Sequence, residues 1–127
     1  MKTRSVIALS LLAGAALGAA AIQTLRAQAQ PPVYVVNEID VTDTGGFQKY
    51  ADAQAKLIER HGGHYIIRGG KVVSVLDGDA PKRFTIYVFD NEAKLQEWRN
   101  DPSAKELFAT RGQYGKFRSF AVEGLGK

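Results

Sequence analysis

The chain has 127 residues, with 17 basic and 13 acidic side chains, a formal net charge of +4 and no cysteine. Without cysteine, disulfides, thiolate metal sites and cysteine nucleophiles are all excluded, so packing and strand pairing must supply the stability. The positive charge is no argument for nucleic-acid binding: Lys2, Arg4 and Arg26 fall in a targeting segment, and 17 less these three leaves 14 basic against 13 acidic residues. Binding nucleic acid would need a basic patch on the folded domain. Lys82-Arg83 and Lys116 with Arg118 come nearest to one, and each reads as a solvated strand end.

Lys2 and Arg4 precede an uncharged stretch from Ser5 to Gln23, rich in Ala and Leu, and Ala27-Gln28-Ala29 follows. This is the layout of a secretory signal peptide, with a positive start, an apolar centre and a small-x-small cleavage site. Cleavage after Ala29 is expected, giving a periplasmic or secreted protein with no membrane attachment. An uncleaved anchor is the alternative, because the apolar stretch approaches the roughly 17 to 25 residues that span a bilayer. Arg4 stands beside Ser5, so the twin-arginine signature is absent. Removing 29 of the 127 residues leaves 98, enough for one small domain with a limited core of its own. Gln28 to Pro32 is the only linker-like segment.

Val33 to Val41 alternates as a strand, with Val33, Val35, Asn37, Ile39 and Val41 on one face and Tyr34, Val36, Glu38 and Asp40 on the other. Asp43 stands at an N-cap position, and Phe47, Tyr50, Ala51, Gln54, Leu57 and Ile58 recur at helical spacing. Gly45-Gly46 weakens the first turn of that helix and Gly62-Gly63 ends it. His64 to Arg68 reads as a second strand, which Gly69-Gly70 interrupts as a bulge or bend before Val72 to Leu76 resumes β character. Asp77-Gly78-Asp79-Ala80-Pro81 is a turn, and Arg83 to Phe89 is a third strand closing a hairpin. Asn91 opens a helix carrying Leu95 and Trp98 inward. Asp101-Pro102-Ser103 breaks it, and Ser103 with Glu106 has capping-box spacing for a continuation through Leu107 and Phe108. The last strand runs from about Phe117 to Glu123.

The order β-α-β-β-α-β is the ferredoxin-like split motif, an α+β architecture with two helices on one face of an antiparallel sheet. Tyr34 and Val36 make the other face too apolar to stay wet, so a partner subunit is its natural cover. The Gly62-Gly63 exit, Arg68-Gly69-Gly70, the Leu76-to-Arg83 turn and the Trp98-to-Pro102 helix break resemble the family described as domain of unknown function 1330. The resemblance spans Val33 to Gly124, the expected folded domain (33–124). It implies a dimeric α+β barrel in which two such sheets face one another, and no agreed activity. Relatives in the wider superfamily include cofactor-independent oxygenases and haem-degrading enzymes that use a cleft between sheet and helices. Gly45-Gly46 departs from the helix-forming start that the family resemblance implies.

Arg68 stands out as a charged side chain between Ile67 and a glycine pair, where its planar fork can hold a carboxylate. It can equally pair internally with Glu38 or an aspartate. Gly69 and Gly70 contribute only backbone shape. His61 and His64 are the only histidines and can supply a general base or two metal ligands. Zinc takes at least three protein ligands and no third residue stands at a telling spacing, so no metal is expected; His61 also suits a helix C-terminus. Tyr34, Tyr50, Tyr65, Tyr87 and Trp98 can line a cleft with Asn37 as its polar group, or simply fill the core. No nucleophile elbow, phosphate loop, EF-hand loop or HExxH pattern is present, and no cofactor is expected.

Two functional readings follow. In the first, the protein is an exported homodimer that binds a small-molecule ligand through Arg68, Asn37 and Trp98, or serves a structural role. The second is a cofactor-independent oxygenase or isomerase acting on a small anionic or aromatic substrate, with His64 as base, Arg68 as anion anchor and Tyr65 or Tyr87 orienting the substrate. Convergence of the histidine, arginine and tyrosines on one cavity selects the enzyme, and dispersal selects binding or structure. A protein-interaction module would need an apolar patch left over after dimerisation.

Overall fold

A computed structural model describes residues 30–125, so the expected signal peptide with its Ala27-Gln28-Ala29 site lies outside the described residues. The strands are β1 (Val33–Val41), β2 (His64–Arg68), β3 (Arg83–Phe89) and β4 (Gly115–Glu123). The helices are α1 (Thr44–Arg60), α2 (Glu92–Asn100) and α3 (Pro102–Thr110), with a single 3₁₀ turn at Arg111–Gln113. The four strands form one antiparallel sheet in the order β2-β3-β1-β4. The fold is therefore the ferredoxin-like α+β arrangement, with its second helical segment divided in two.

The alternation in β1 is obeyed: Val33, Val35, Asn37 and Ile39 are buried on the helix side, while Tyr34, Val36, Glu38 and Asp40 stay half-buried on the other. The core forms where that helix-side face meets Ile58 and Leu57 of α1 and Leu95 and Trp98 of α2, around Phe89 of β3. The Asp43 carboxylate caps α1 by accepting from the Gly46 amide at 3.1 Å. Gly46 departs from a helix-forming start for a packing reason, since a Cβ there would overlap the Tyr114 ring. At the far end Gly62 takes φ +81°, while a Cβ on Gly63 would fall 2.8 Å from the Phe89 ring.

Three local expectations are corrected. Of the bulge or bend expected at Gly69-Gly70 only the bend is there, at Gly69; the bulge in β2 sits at Ile66, where the register shifts between Tyr65↔Tyr87 and Ile67↔Ile86. The extra residue flips the alternation, so Arg68, opposite Thr85, joins Tyr65 on the helix side, while His64 stays on the other. Val72 to Leu76 forms no strand. Gly69, at φ +65°, donates to Phe84 O at 2.9 Å and then turns the chain off the sheet, leaving Val73 and Leu76 90 % and 96 % exposed. β-favouring side chains need a neighbouring strand to pair with, and the described residues provide none there.

The third correction concerns α3, which is capped by Asp101 rather than Ser103: the Asp101 carboxylate accepts from the Ser103 amide at 2.9 Å, with Pro102 in the first helical turn. The His61 ring nitrogen Nε2 lies 2.8 Å from the same carboxylate and donates to it, tying the end of α1 to the α2–α3 junction. These bonds, His61 first and the Ser103 amide second, hold the Asp101 carboxyl below the usual aspartate range. A depressed folded pKa stabilises the fold above the unfolded value of about 4 and loses that contribution as pH falls through the folded value. Thermal melts between about pH 6 and pH 3 are expected to show a shallower acid decline for Asp101→Asn than for the native chain. Equal slopes would remove the pair from the acid response.

Candidate functional site

Asn37 is the polar centre of the helix-side face. Its position on β1 sets it opposite Thr85 of β3 and Ser119 of β4, and it is 6 % exposed. The Ser119 hydroxyl donates to Asn37 Oδ1 at 2.6 Å, and Arg111 Nη1 donates to Ser119 Oγ at 3.2 Å. The Asn37 amide nitrogen is thereby left as a donor with no acceptor among the described residues. Burial pushes the Tyr87 phenol well above its ordinary value, with the neighbouring Asn37 amide opposing only in part. Tyr65 is pushed up to about 12 by burial, with Arg68 the main opposing influence. Both phenols are therefore neutral hydrogen-bonding groups at physiological pH.

Trp98 forms the facing wall. Its indole N–H donates to Gln54 Oε1 at 3.1 Å inside the core, which fixes the ring's orientation. The Tyr87 ring stands edge-on to it, with centroids 5.5 Å apart, and Tyr65 stands edge-on to Tyr87 at 5.4 Å. Between α2, α3 and the β1–β4 half of the sheet lies a cleft of about 160 Å³, lined by Asn37, Tyr50, Tyr87, Trp98, Phe108 and Ser119 among others. A narrow extension of about 40 Å³ runs under α1, sharing Asn37, Tyr50 and Tyr87 and reaching Tyr65, Arg68, Arg83 and Thr85. A depression of about 350 Å³ on α2 and α3 adjoins the cleft across Trp98, Arg99 and Phe108.

Asn37, Tyr87 and Trp98 thus come together, with Tyr65 and Arg68 at the narrow end. Arg68 Nη2 lies 3.0 Å from Asp52 Oδ1, an exposed pair at 38 % and 57 %, and its guanidinium sits 5.0 Å above the Tyr65 ring. His64 pairs with Val88 on the opposite face of the sheet, exposed and away from the cleft. Gly69 makes room for Arg83, whose guanidinium carbon would lie 2.7 Å from a Cβ there; Gly70 borders Ile67. Among the described residues no three His, Asp or Glu side chains meet as a metal site.

Arg83 is no solvated strand end. It lies 5.0 Å over the Phe47 ring, with Nε buried and without a hydrogen-bond partner among the described residues. The signal was available, because residues 83, 85, 87 and 89 alternate onto one face of β3. Ser119 had the same kind of signal through its register with Asn37, once β4 is aligned. Arg111, beyond the end of α3, had none in the sequence.

Residues 32–125 match the family described as Domain of unknown function (DUF1330). The chain belongs to this family. Among solved structures, RPA0582, a protein of unknown function from Rhodopseudomonas palustris, is similar to this DUF1330 chain with a TM-score of 0.62 at 16 % identity, over 84 % of this chain and 93 % of that one. SnoaB, a cofactor-independent oxygenase from Streptomyces nogalater, aligns with a TM-score of 0.53 at 10 % identity, over 76 % and 96 %. A hypothetical Arabidopsis thaliana protein aligns at 0.55 and 16 %, over 78 % and 93 %. At these identities the likeness shows the fold, the ferredoxin-like α+β barrel type. No curated protein matches the DUF1330 chain.

Proposed function

We propose that the protein is an exported homodimer that binds a small, planar aromatic molecule in the cleft between Asn37 and Trp98. The observation that carries this reading is the lining itself: Tyr50, Tyr87, Trp98 and Phe108 supply aromatic surface around the polar pair Asn37 and Ser119, and no histidine or carboxylate is among the lining residues. A largely apolar concavity with a few convergent polar groups suits recognition of a small molecule. His64 lies across the sheet and both phenols hold their protons, so the cleft offers no group suited to act as a general base near neutral pH. An oxygenase reading, prompted by the fold shared with SnoaB, needs a substrate that provides its own base.

Trp98 is the only tryptophan, so its fluorescence reports on the cleft and on the depression that adjoins it. Titration with a panel of single-ring aromatics is expected to change that signal saturably, and native mass spectrometry of protein taken from its producing cells is expected to show a bound small molecule. Asn37→Ala removes the acceptor of the Ser119 hydroxyl and is expected to weaken binding while costing about 0.5–1.5 kcal/mol of stability. A panel that leaves the fluorescence unchanged, with no co-purifying molecule, would sink the reading.

The homodimer is supported by the sheet face that carries Tyr34, Val36, Phe84, Ile86, Phe120 and Val122, across which no described element packs. Export is supported by the charged start, apolar stretch and Ala27-Gln28-Ala29 site. N-terminal sequencing of native protein is expected to begin at Gln30; an intact Met1 in the membrane fraction would establish the anchored form instead.

A further inference from the structure

We infer that the molecule held in this cleft is an anion, a small aromatic carboxylate or similarly planar oxyanion, and that Arg111 is the residue that reads its charge. The inference rests on the small-molecule reading of the cleft and adds the ligand's charge and its anchor. Arginines in the described residues fall into two sets by ion pairing, with Arg68 of the paired set also bordering the narrow extension. Arg60, Arg68 and Arg118 each face a carboxylate, of Asp101, Asp52 and Glu38, at 3.9, 3.0 and 3.2 Å. Arg83, Arg99 and Arg111 form no ion pair with any described residue, and all three line the cleft or its narrow extension. No Asp or Glu lines either space, although acidic and basic residues are equally numerous over residues 30–125. The arginines without a carboxylate partner are thus gathered around these spaces, where an anionic ligand would supply the counter-charge.

Arg111 is the one built to serve as an anchor. Its guanidinium carbon lies 3.8 Å from the centroid of Phe108 and 4.7 Å from that of Phe117, so two aromatic rings hold the fork. A single N–H goes to Ser119, which is itself held by Asn37, and the other donors have no protein acceptor among the described residues. A guanidinium fixed in this way gives up little freedom on binding, and its planar fork matches a carboxylate through two parallel hydrogen bonds. Arg83 faces a space of only about 40 Å³, near the size of a single water, which is too small for a ring bearing a carboxylate. The 160 Å³ that Arg111 and Arg99 border is the space that accommodates one.

The test follows Trp98 fluorescence of the purified protein with three probes of similar size: benzoate, its neutral analogue benzamide, and cyclohexanecarboxylate, an anion without an aromatic ring. Benzoate is expected to bind on the order of 10- to 100-fold more tightly than benzamide, as loss of a charge-assisted pair of hydrogen bonds implies. Arg111→Gln is expected to bring benzoate down to the benzamide level, Arg111→Lys to restore only part of the difference, and Arg60→Ala to change neither. Benzamide binding as well as benzoate overturns the anion and leaves the aromatic reading standing. If cyclohexanecarboxylate matches benzoate, the anion stands and the aromatic reading falls; if none of the three binds, both fall. A loss of benzoate in Arg111→Gln no greater than in Arg60→Ala overturns the assignment of Arg111. Should Arg111→Gln fail to fold, the benzoate-to-benzamide ratio of the native chain decides the anion and Arg111→Lys decides the anchor.

Discussion

Replacing Phe89 by alanine is expected to cost about 3–5 kcal/mol, most of the stability available to so small a domain. Phe89 is 1 % exposed at the end of β3; its ring stacks on Trp98 with centroids 5.6 Å apart and meets Tyr87 edge-on at 6.1 Å. Gly63 is shaped around the same ring, and Ile58, fully buried, fills the remaining side. With both backbone and side chains fitted to it, the site has little room to collapse, so a cavity remains and the upper part of the range applies. The melting temperature is expected to fall by roughly 15–30 °C. Because Phe89 also backs Trp98, the tryptophan emission should change before the protein unfolds. A loss below about 1 kcal/mol would mean that the neighbours close the gap and that Trp98 is not held by this stack. Arg68→Ala makes the contrast, since its exposed pair with Asp52 is worth only about 0–1 kcal/mol.

Much of this architecture was legible because its signals are local and redundant. The alternation of Val33 to Val41, the Asp43 and Asn91 caps and the Gly62-Gly63 exit each state one element, and each is found where the pattern puts it. What failed depended on a partner. Val72 to Leu76 has strand-forming side chains but no neighbour among the described residues, and the bulge at Ile66 can be located only against β3. The cleft was legible in the same partial way. Asn37, Tyr87 and Trp98 could be chosen because each lies on a buried stripe of a recognisable element, and the structure brings these three together. His64 and Arg68 look adjacent in sequence, yet the single extra residue between them sends their side chains to opposite faces. Arg111 gains its meaning from Phe108 and Phe117, one ahead of the turn and one on β4, so its role is a product of tertiary structure alone.

Ile86→Asp is expected to turn the proposed homodimer into folded monomers. Ile86 sits at the middle of the open face, in a row that crosses all four strands in register: Ile67, Ile86, Val36 and Phe120. Tyr34, Val88 and Val122 make a second apolar row beside it, and the face ends in charge at the Glu38–Arg118 pair. An apolar centre with a charged margin suits the packing of a second identical sheet about 10 Å away across a two-fold axis. Each aspartate would then lose its water in the dimer, and symmetry counts the cost twice, at several kcal/mol per charge in the absence of a partner. The dimer dissociation constant is expected to rise on the order of a thousandfold or more. In the monomer the same side chain remains half-exposed, so far-ultraviolet circular dichroism should be unchanged. Sedimentation velocity at micromolar concentration is the measurement. A native chain that sediments as a monomer would end the homodimer proposal, and an Ile86→Asp variant that dimerises as tightly as the native chain would move the interface to another surface.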